Sequence, residues 1–314
     1  GRKMSKSLGN SPDPLGLIDQ YGADGVRTGM LFSSPAGNDL LFDEKLCEQG
    51  RNFSNKIWNA YRLIKGWQVD RQLVNPNELA IKWFDSRFNT ALEQLEDHFS
   101  KFRISDALHA LYKLTWDDFC SWYLEMVKPE FRKPIDQVTY DRTIGYFETL
   151  LKALHPFMPF ITEELWHELK NRPEKDCVIV ARHPSSAPFD QSILNEASFS
   201  FDIITEIRNT RNNKGISPKE ALKLMVRGDT NIKSFWSIIK KLSNLTEVSF
   251  VTEAPASGAT QFIVRATEFF VPLEGKVDTQ KERETIQKEI AYQKGFLVSV
   301  DKKLSNEKFV NSAP

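Results

Sequence analysis

Residues 43–66 read "DEKLCEQGRNFSNKIWNAYRLIKG", and the spacing inside this stretch decides the fold. At about 100° per residue, Leu46, Phe53, Ile57 and Ile64 fall within about 40° of one another, with Ala60 beside them. The stretch therefore predicts a long amphipathic helix with one core face. Lys45, Asn52, Lys56, Asn59 and Leu63 share one shoulder of that helix, and Arg51, Asn55 and Arg62 share the other. From Lys45 to Trp67 there are five cations against one acid, Glu48. Cations interleaved with amides neutralise phosphates and reach base edges, and an apolar residue such as Leu63 offers a surface to an unstacked base. A solvated helix face has the same composition, and the pattern alone does not separate the two.

The same periodicity continues on the C-terminal side. Helical patterns run over about 77–99, over 103–127 ("RISDALHALYKLTWDDFCSWYLEMV", with Leu108, Leu111, Trp116, Phe119 and Trp122 as its apolar face), over 136–154, and over "PFITEELWHEL". Long amphipathic helices joined by short loops describe a bundle. The tryptophans and phenylalanines of "FCSWYLEM" read as bundle core. The adjacent Asp117 and Asp118 point to different sides of a helix and read as capping or surface groups, and His155 reads as a satisfied residue at a helix junction. On the N-terminal side, Asp13-Pro14 has the cap and first-turn proline of a helix start, and two short helices fit residues 15–34.

Beyond Arg172 the texture changes. The segment "RHPSSAPFD" (182–190) reads as a linker, residues 197–212 as a helix, and "ALKLMV", "EVSFV", "TQFIVRA" and "EFFVPL" as short strands around the helix "IKSFWSIIKKL". From Asp278 the chain is charged and helical. Ile286, Ile290, Leu297, Val300 and Leu304 form the seam of a coiled coil, with Gln293 in the skipped position. The expected fold is mostly α: a helical bundle, then a small α/β unit, then a coiled-coil helix. Its expected divisions are 1–42, 43–172, 173–275 and 276–314.

Composition narrows the function classes. The 314 residues carry 42 basic and 42 acidic side chains, so a nucleic-acid role must rest on local clusters and not on the overall field. Mean hydropathy is −0.42, no apolar run suffices for a membrane span, and no apolar leader is present. Cys47, Cys120 and Cys177 stand far apart. They predict reduced thiols in a cytoplasm-like compartment rather than a disulfide framework or a cysteine zinc site, and no metal site is expected.

Residues 3–10, "KMSKSLGN", place Lys3 and Lys6 around Ser5 on a glycine-bounded loop. Mobile ammonium groups beside hydroxyls suit a polyphosphate whose charge grows during reaction, although a solvated basic arm has the same residues. With "DPL" and "YGAD" downstream, the loop resembles the signature of class I aminoacyl-tRNA synthetases. "RNFSNKIWNAYRL" is similar to the pattern of the valyl members, as are "WDDFCSWYLEMVKP", "LHPFMPFITEELWHEL", "VPLEGKVD" and "KKLSNEKFVNSAP", in the same order. Isoleucyl members share the loop and bundle but commonly end in a cysteine zinc module, which this chain lacks.

The resemblance implies the C-terminal part of an ATP-dependent ligase that joins valine to tRNA(Val), from the KMSKS loop to the start of a tRNA-contacting coiled coil. It assigns catalytic roles to Lys6 and Lys3 and ATP contact to Lys3, Ser5, Lys6 and Ser7. Anticodon-loop contact falls to the start of the bundle: Lys45, Lys56, Arg62 and Leu63 at matching positions, with Arg51, Asn52 and Asn59 on the same helix. Some relatives have arginine where Lys45 stands, and an aromatic is usual at position 63, where leucine offers apolar contact without stacking. ATP with Mg2+ belongs to the full enzyme, and the fragment is expected to bind none alone. The HIGH motif, amino-acid pocket and editing site are absent from these residues, so the fragment is expected to be inactive by itself. A monomer in the cytoplasm with no membrane contact is expected. An isoleucyl enzyme, a non-catalytic RNA-binding module and a protein-binding helical scaffold are the alternatives.

Overall fold

Asp13, Asp43 and Asp136 each stand one residue before a helix, where a carboxylate can take up the free N–H groups of the first turn. Asp13 accepts from the Leu15 and Gly16 N–H groups (3.3 and 3.1 Å), Asp43 from Lys45 (3.0 Å) and Asp136 from Thr139 (2.8 Å). The computed structural model describes residues 4–35, 37, 39–230, 232, 234–255, 258–273 and 279–305. In chain order its helices are α1 (Pro14–Tyr21), α2 (Ala23–Phe32), α3 (Glu44–Lys65), α4 (Glu78–Ser100), α5 (Ile104–Lys113), α6 (Leu124–Val127), α7 (Gln137–Leu154), α8 (Pro159–Leu169), α9 (Gln191–Lys214), α10 (Trp236–Ser243) and α11 (Thr279–Leu304). The strands are β1 (Val69–Asp70), β2 (Ile135–Asp136), β3 (Leu222–Arg227), β4 (Leu245–Phe250), β5 (Ala259–Val264) and β6 (Thr267–Pro272). The fold is mostly α, a bundle followed by a small α/β unit, as expected.

Two units form: Gly1–Ser198 with Lys233–Ile238, and Phe199–Ile232 with Ile239–Pro314. In the first, α2 and α3 meet backbone to backbone. A Cβ added to Gly50 would lie 2.4 Å from the Gly25 carbonyl oxygen, and one added to Gly29 would lie 2.6 Å from the Cys47 nitrogen. Only glycine allows that approach. From α2, buried Asp24 caps a distant helix, accepting from the Phe160 and Ile161 N–H groups at the start of α8 (3.3 and 2.7 Å). Burial pushes the Asp24 carboxyl up, and those two N–H groups and Arg27 pull it back. Arg27 in turn donates to the Phe157 and Pro156 carbonyls (3.2 and 3.1 Å). His155, at the same junction, bonds Thr162 Oγ1 through Nδ1 (2.7 Å), the satisfied role expected of it.

The bundle core is aromatic. Phe84 stacks on Tyr123 (4.7 Å between centroids) and meets Tyr146 edge-on (4.9 Å), joining α4 and α7 to the segment between α5 and α6. That segment, Leu114–Tyr123, is a π-helix and not the continuous α-helix the spacing predicts. The Leu124 N–H reaches back to the Phe119 carbonyl, five residues away, one residue further than in an α-turn. The wider turn changes the phase of the apolar face. Tyr123 and Leu114 are buried, while Trp116 and Trp122, read as core, are only half-buried. It also turns Asp118 inward, correcting the capping or surface role expected of it. At 8% exposure Asp118 pairs with Arg87 of α4 at 2.8 Å. Desolvation raises its carboxyl, and Arg87 opposes that rise.

The 182–190 linker is extended and strapped across α4. Backbone N–H groups of Ser186, Ala187 and Asp190 donate to Glu96 Oε1 (2.9 Å), Asn89 Oδ1 (2.9 Å) and Ser86 Oγ (3.2 Å). In the second unit the sheet order is β4-β3-β6-β5, with β3 and β4 parallel and the other pairs antiparallel. Buried Arg211 holds its loops by donating to the carbonyls of Ser217, Glu220, Ser243 and Asn244 (2.9, 2.8, 2.8 and 3.3 Å). Along α11 the expected seam residues Ile290, Leu297 and Leu304 are exposed. The side chain of Ile286, and the KKLSNEKFVNSAP segment beyond 305, lie outside the described residues.

Candidate nucleic-acid interface

The α3 helix buries Cys47, Gly50, Phe53, Ile57, Ala60, Tyr61 and Ile64, and this leaves the cation–amide shoulder outward. Lys45, Asn52, Asn59 and Arg62 are exposed, and Leu63 is 40% exposed. From Lys45 to Leu63 the shoulder runs about 27 Å along the helix axis. Among the described residues, none of Lys45, Lys56 and Arg62 is paired with a carboxylate. The stripe is thus a line of available positive charge carrying two carboxamides and one apolar side chain.

Two cations are positioned by aromatic rings. The Lys56 ammonium stands 5.1 Å from the centre of the Trp116 ring, which stacks on Tyr112 (5.5 Å), which in turn meets Phe53 (4.8 Å). The ladder holds Lys56 half-buried without neutralising it. Arg51 is turned toward α1, where its guanidinium lies 5.7 Å from the Tyr21 ring and donates to the Gln20 carbonyl (3.4 Å). Lys45, Asn52, Lys56, Asn59 and Leu63 therefore form one row, Arg62 flanks it, and Arg51 is engaged elsewhere. At the C-terminal end, Tyr61 and Lys65 donate to the Glu168 carbonyl (3.3 and 3.2 Å) and fix α3 to α8.

The opening loop is a closed turn. Lys6–Leu8 form a single 3-10 turn, the Ser5 N–H donates to Asn10 Oδ1 (2.9 Å), and the Leu8 N–H donates to the Ser5 carbonyl (3.2 Å). Gly9 takes φ +64°, a left-handed value that glycine adopts without strain. The Ser5 and Ser7 hydroxyls lie 2.6 Å apart. Lys3 and the side chain of Lys6 lie outside the described residues.

Sequence reasoning missed the rings beneath Lys56 and Arg51, because Trp116 and Tyr21 come from other helices. It also missed a cluster on α8. Glu163, His167 and Cys177 bring one ligand atom each to within 4.8 Å of the others. The i, i+4 spacing of Glu163 and His167 was a visible signal, whereas Cys177 arrives from a loop. Among the described residues, no helix is long and apolar enough to cross a membrane.

Residues 81–226 match the family model of the anticodon-binding domain of tRNA ligases, and residues 1–43 match that of the class I tRNA synthetases of the I, L, M and V types. The whole chain aligns with valine–tRNA ligases at 52% identity in Christiangramia forsetii and in Parabacteroides distasonis, and at 51% in Phocaeicola vulgatus. It spans 36% of the length of each of these relatives. The chain belongs to the class I tRNA synthetases, and within them its kin are the valine–tRNA ligases.

Proposed function

We propose that this chain supplies the ATP loop and the anticodon-reading surface of an enzyme that ligates valine to tRNA(Val). The observation that carries the reading is the outward row on α3, where exposed Lys45, Asn52, Asn59 and Leu63 and half-buried Lys56 line up beside Arg62. Its cations neutralise phosphates of the anticodon loop, its carboxamides meet base edges, and Leu63 gives apolar contact to one unstacked base. Arg51 contributes charge from the α1 side. In the reaction, valine's carboxylate attacks the α-phosphate of ATP and releases pyrophosphate, and a ribose hydroxyl of the tRNA then takes the valyl group and releases AMP. Lys6 and Lys3, with the Ser5 and Ser7 hydroxyls, stabilise the charge that grows on the departing phosphates. ATP arrives as its Mg2+ complex, and the ion shields those same phosphates. Residues 1–42 close the catalytic domain, 43–172 bind the anticodon, 173–275 link, and 276–314 begin a coiled-coil arm toward the tRNA. The enzyme works as a cytoplasmic monomer, and this chain alone ligates nothing.

The test is binding of the chain to valine, isoleucine and leucine tRNAs across a salt series, with an anticodon-altered valine tRNA in the panel. A preference for the valine tRNA that the altered anticodon abolishes supports the reading. Lys45→Ala and Arg62→Ala should each weaken binding and reduce the slope of log K against log salt by about one. Equal binding to all four RNAs, with slopes untouched by either variant, refutes it.

A further inference from the structure

We propose that Glu163, His167 and Cys177 form a binding site for a thiophilic divalent transition-metal ion, Zn2+ foremost. The first two residues lie one turn apart on α8, with His167 Nε2 and Glu163 Oε1 separated by 3.1 Å. The loop after α8 folds back and sets Cys177 Sγ beside them, so that all three ligand atoms fall within 4.8 Å of one another. Zinc bonds of about 2.0–2.3 Å in a tetrahedron require ligand atoms roughly 3.3–3.7 Å apart. Closing the remaining ångström or so calls on three side chains that are each only half-buried.

The backbone is already placed. On one side of Cys177, the Trp166 indole N–H donates to the Asp176 carbonyl (2.9 Å). On the other side, the Val178 N–H donates to Glu163 (3.0 Å to Oε2 and 3.3 Å to Oε1). Both neighbours of the cysteine are therefore tied to α8, the helix that carries the other two ligands. The Val178 bond also orients the Glu163 carboxylate, as outer-shell donors do at metal centres.

The donor set selects the ion. Sulfur and imidazole disfavour Mg2+ and Ca2+, which take oxygen ligands, and favour zinc and its neighbours. A thiolate and a carboxylate together cancel a 2+ charge. Three protein ligands leave a fourth position for water. The Cys177 thiol donates to the Glu174 carbonyl (3.2 Å). The Glu163 carboxylate beside the thiol supplies negative charge that draws in a cation. On binding, Cys177 gives its proton to solvent and sulfur bonds the metal in its place. The other two thiols are buried, and Cys120 is pushed up to about 12 by burial, so neither competes.

The experiment is calorimetric titration of the chain with Zn2+, together with Co2+ as an optical probe. One equivalent of Zn2+ should bind. Co2+ should give a sulfur-to-metal charge-transfer band in the near ultraviolet with intense visible bands of a four-coordinate site. Cys177→Ser should abolish the charge-transfer band and weaken Zn2+ by about 100-fold or more, beyond what outer-shell changes produce. His167→Ala, which leaves the Val178 bond in place, should weaken it comparably, with helical circular dichroism unchanged in both variants. Absence of stoichiometric uptake overturns the proposal. So does uptake that persists undiminished in folded Cys177→Ser and His167→Ala.

Discussion

Replacing Gly50 with alanine sets two opposed effects against each other at one position. In an open helical site the change gains about 0.5–1 kcal/mol, because alanine loses less backbone entropy on folding. At Gly50 the new methyl would stand 2.4 Å from the Gly25 carbonyl oxygen and 2.9 Å from Thr28 Cβ, against 3.4 Å for ordinary contact. Helix α2 would have to retreat by about 1 Å, a gap that forfeits a quarter to a half of each dispersion contact across the interface. The nearest obstructing atom is a backbone carbonyl oxygen, so no rotamer relieves the overlap. The cost belongs at the upper end of the roughly 1–3 kcal/mol seen for overpacking. The net expectation is a loss of about 2 kcal/mol. Gly145 is the internal control: it is exposed on α7, and a Cβ there meets nothing within 4 Å. Gly145→Ala should gain about 0.5–1 kcal/mol. Urea unfolding followed by tryptophan fluorescence reads both. The reasoning fails if Gly50→Ala is as stable as the parent, or if both variants move the same way.

Asp118→Ala leaves the Arg87 guanidinium mostly buried without its partner, and should lower stability by about 3–5 kcal/mol in the same titration. Arg172 lies flat on Trp166, 3.7 Å from the ring centre, and also pairs with Glu148. Arg172→Lys keeps the charge but loses the planar stack, and should cost about 1–2 kcal/mol by thermal or urea midpoint. Burial lowers the pKa of His155 against the opposing pull of Glu163 and Asp24, so the unfolded chain takes up the proton first. The folded state should therefore lose stability as pH falls through the imidazole range, and His155→Gln should flatten that slope in unfolding measured between neutral pH and pH of about 5.

The helices were legible because each carries its own period and start signal, as at Asp13, Asp43 and Asp136. The candidate row on α3 was legible for the same reason: spacings of seven, four, three and four residues put its members on one line whatever surrounds the helix. What the chain alone did not disclose are relations between distant segments. Asp24 caps a helix that begins more than 130 residues later, a bond with no local pattern. Trp116 lies under Lys56 only once the bundle closes. The π-helix escaped because an α-helical phase was imposed on it, although the five-residue step from Leu111 to Trp116 marked the place. The two-residue pair β1–β2 is too short for any alternation to show.

The strap over α4 divides mutational freedom unevenly between its two sides. At Ser186, Ala187 and Asp190 the strap contributes peptide N–H groups, and α4 contributes the side chains of Glu96, Asn89 and Ser86. Those three α4 positions should stay constrained, as should Asp190, whose carboxylate accepts from the Ser192 and Ile193 N–H groups (2.8 and 3.4 Å) at the start of α9. A main-chain donor is nearly indifferent to the residue that carries it, so substitutions at 186 and 187 should drift widely. Proline is the exception, since it removes the N–H. The two prolines already present, Pro184 and Pro188, occupy positions that make none of these three bonds. A library randomised over 182–190 and sorted for folded protein should therefore accept most residues at 186 and 187, exclude proline at 186, 187 and 190, and favour a capping side chain at 190.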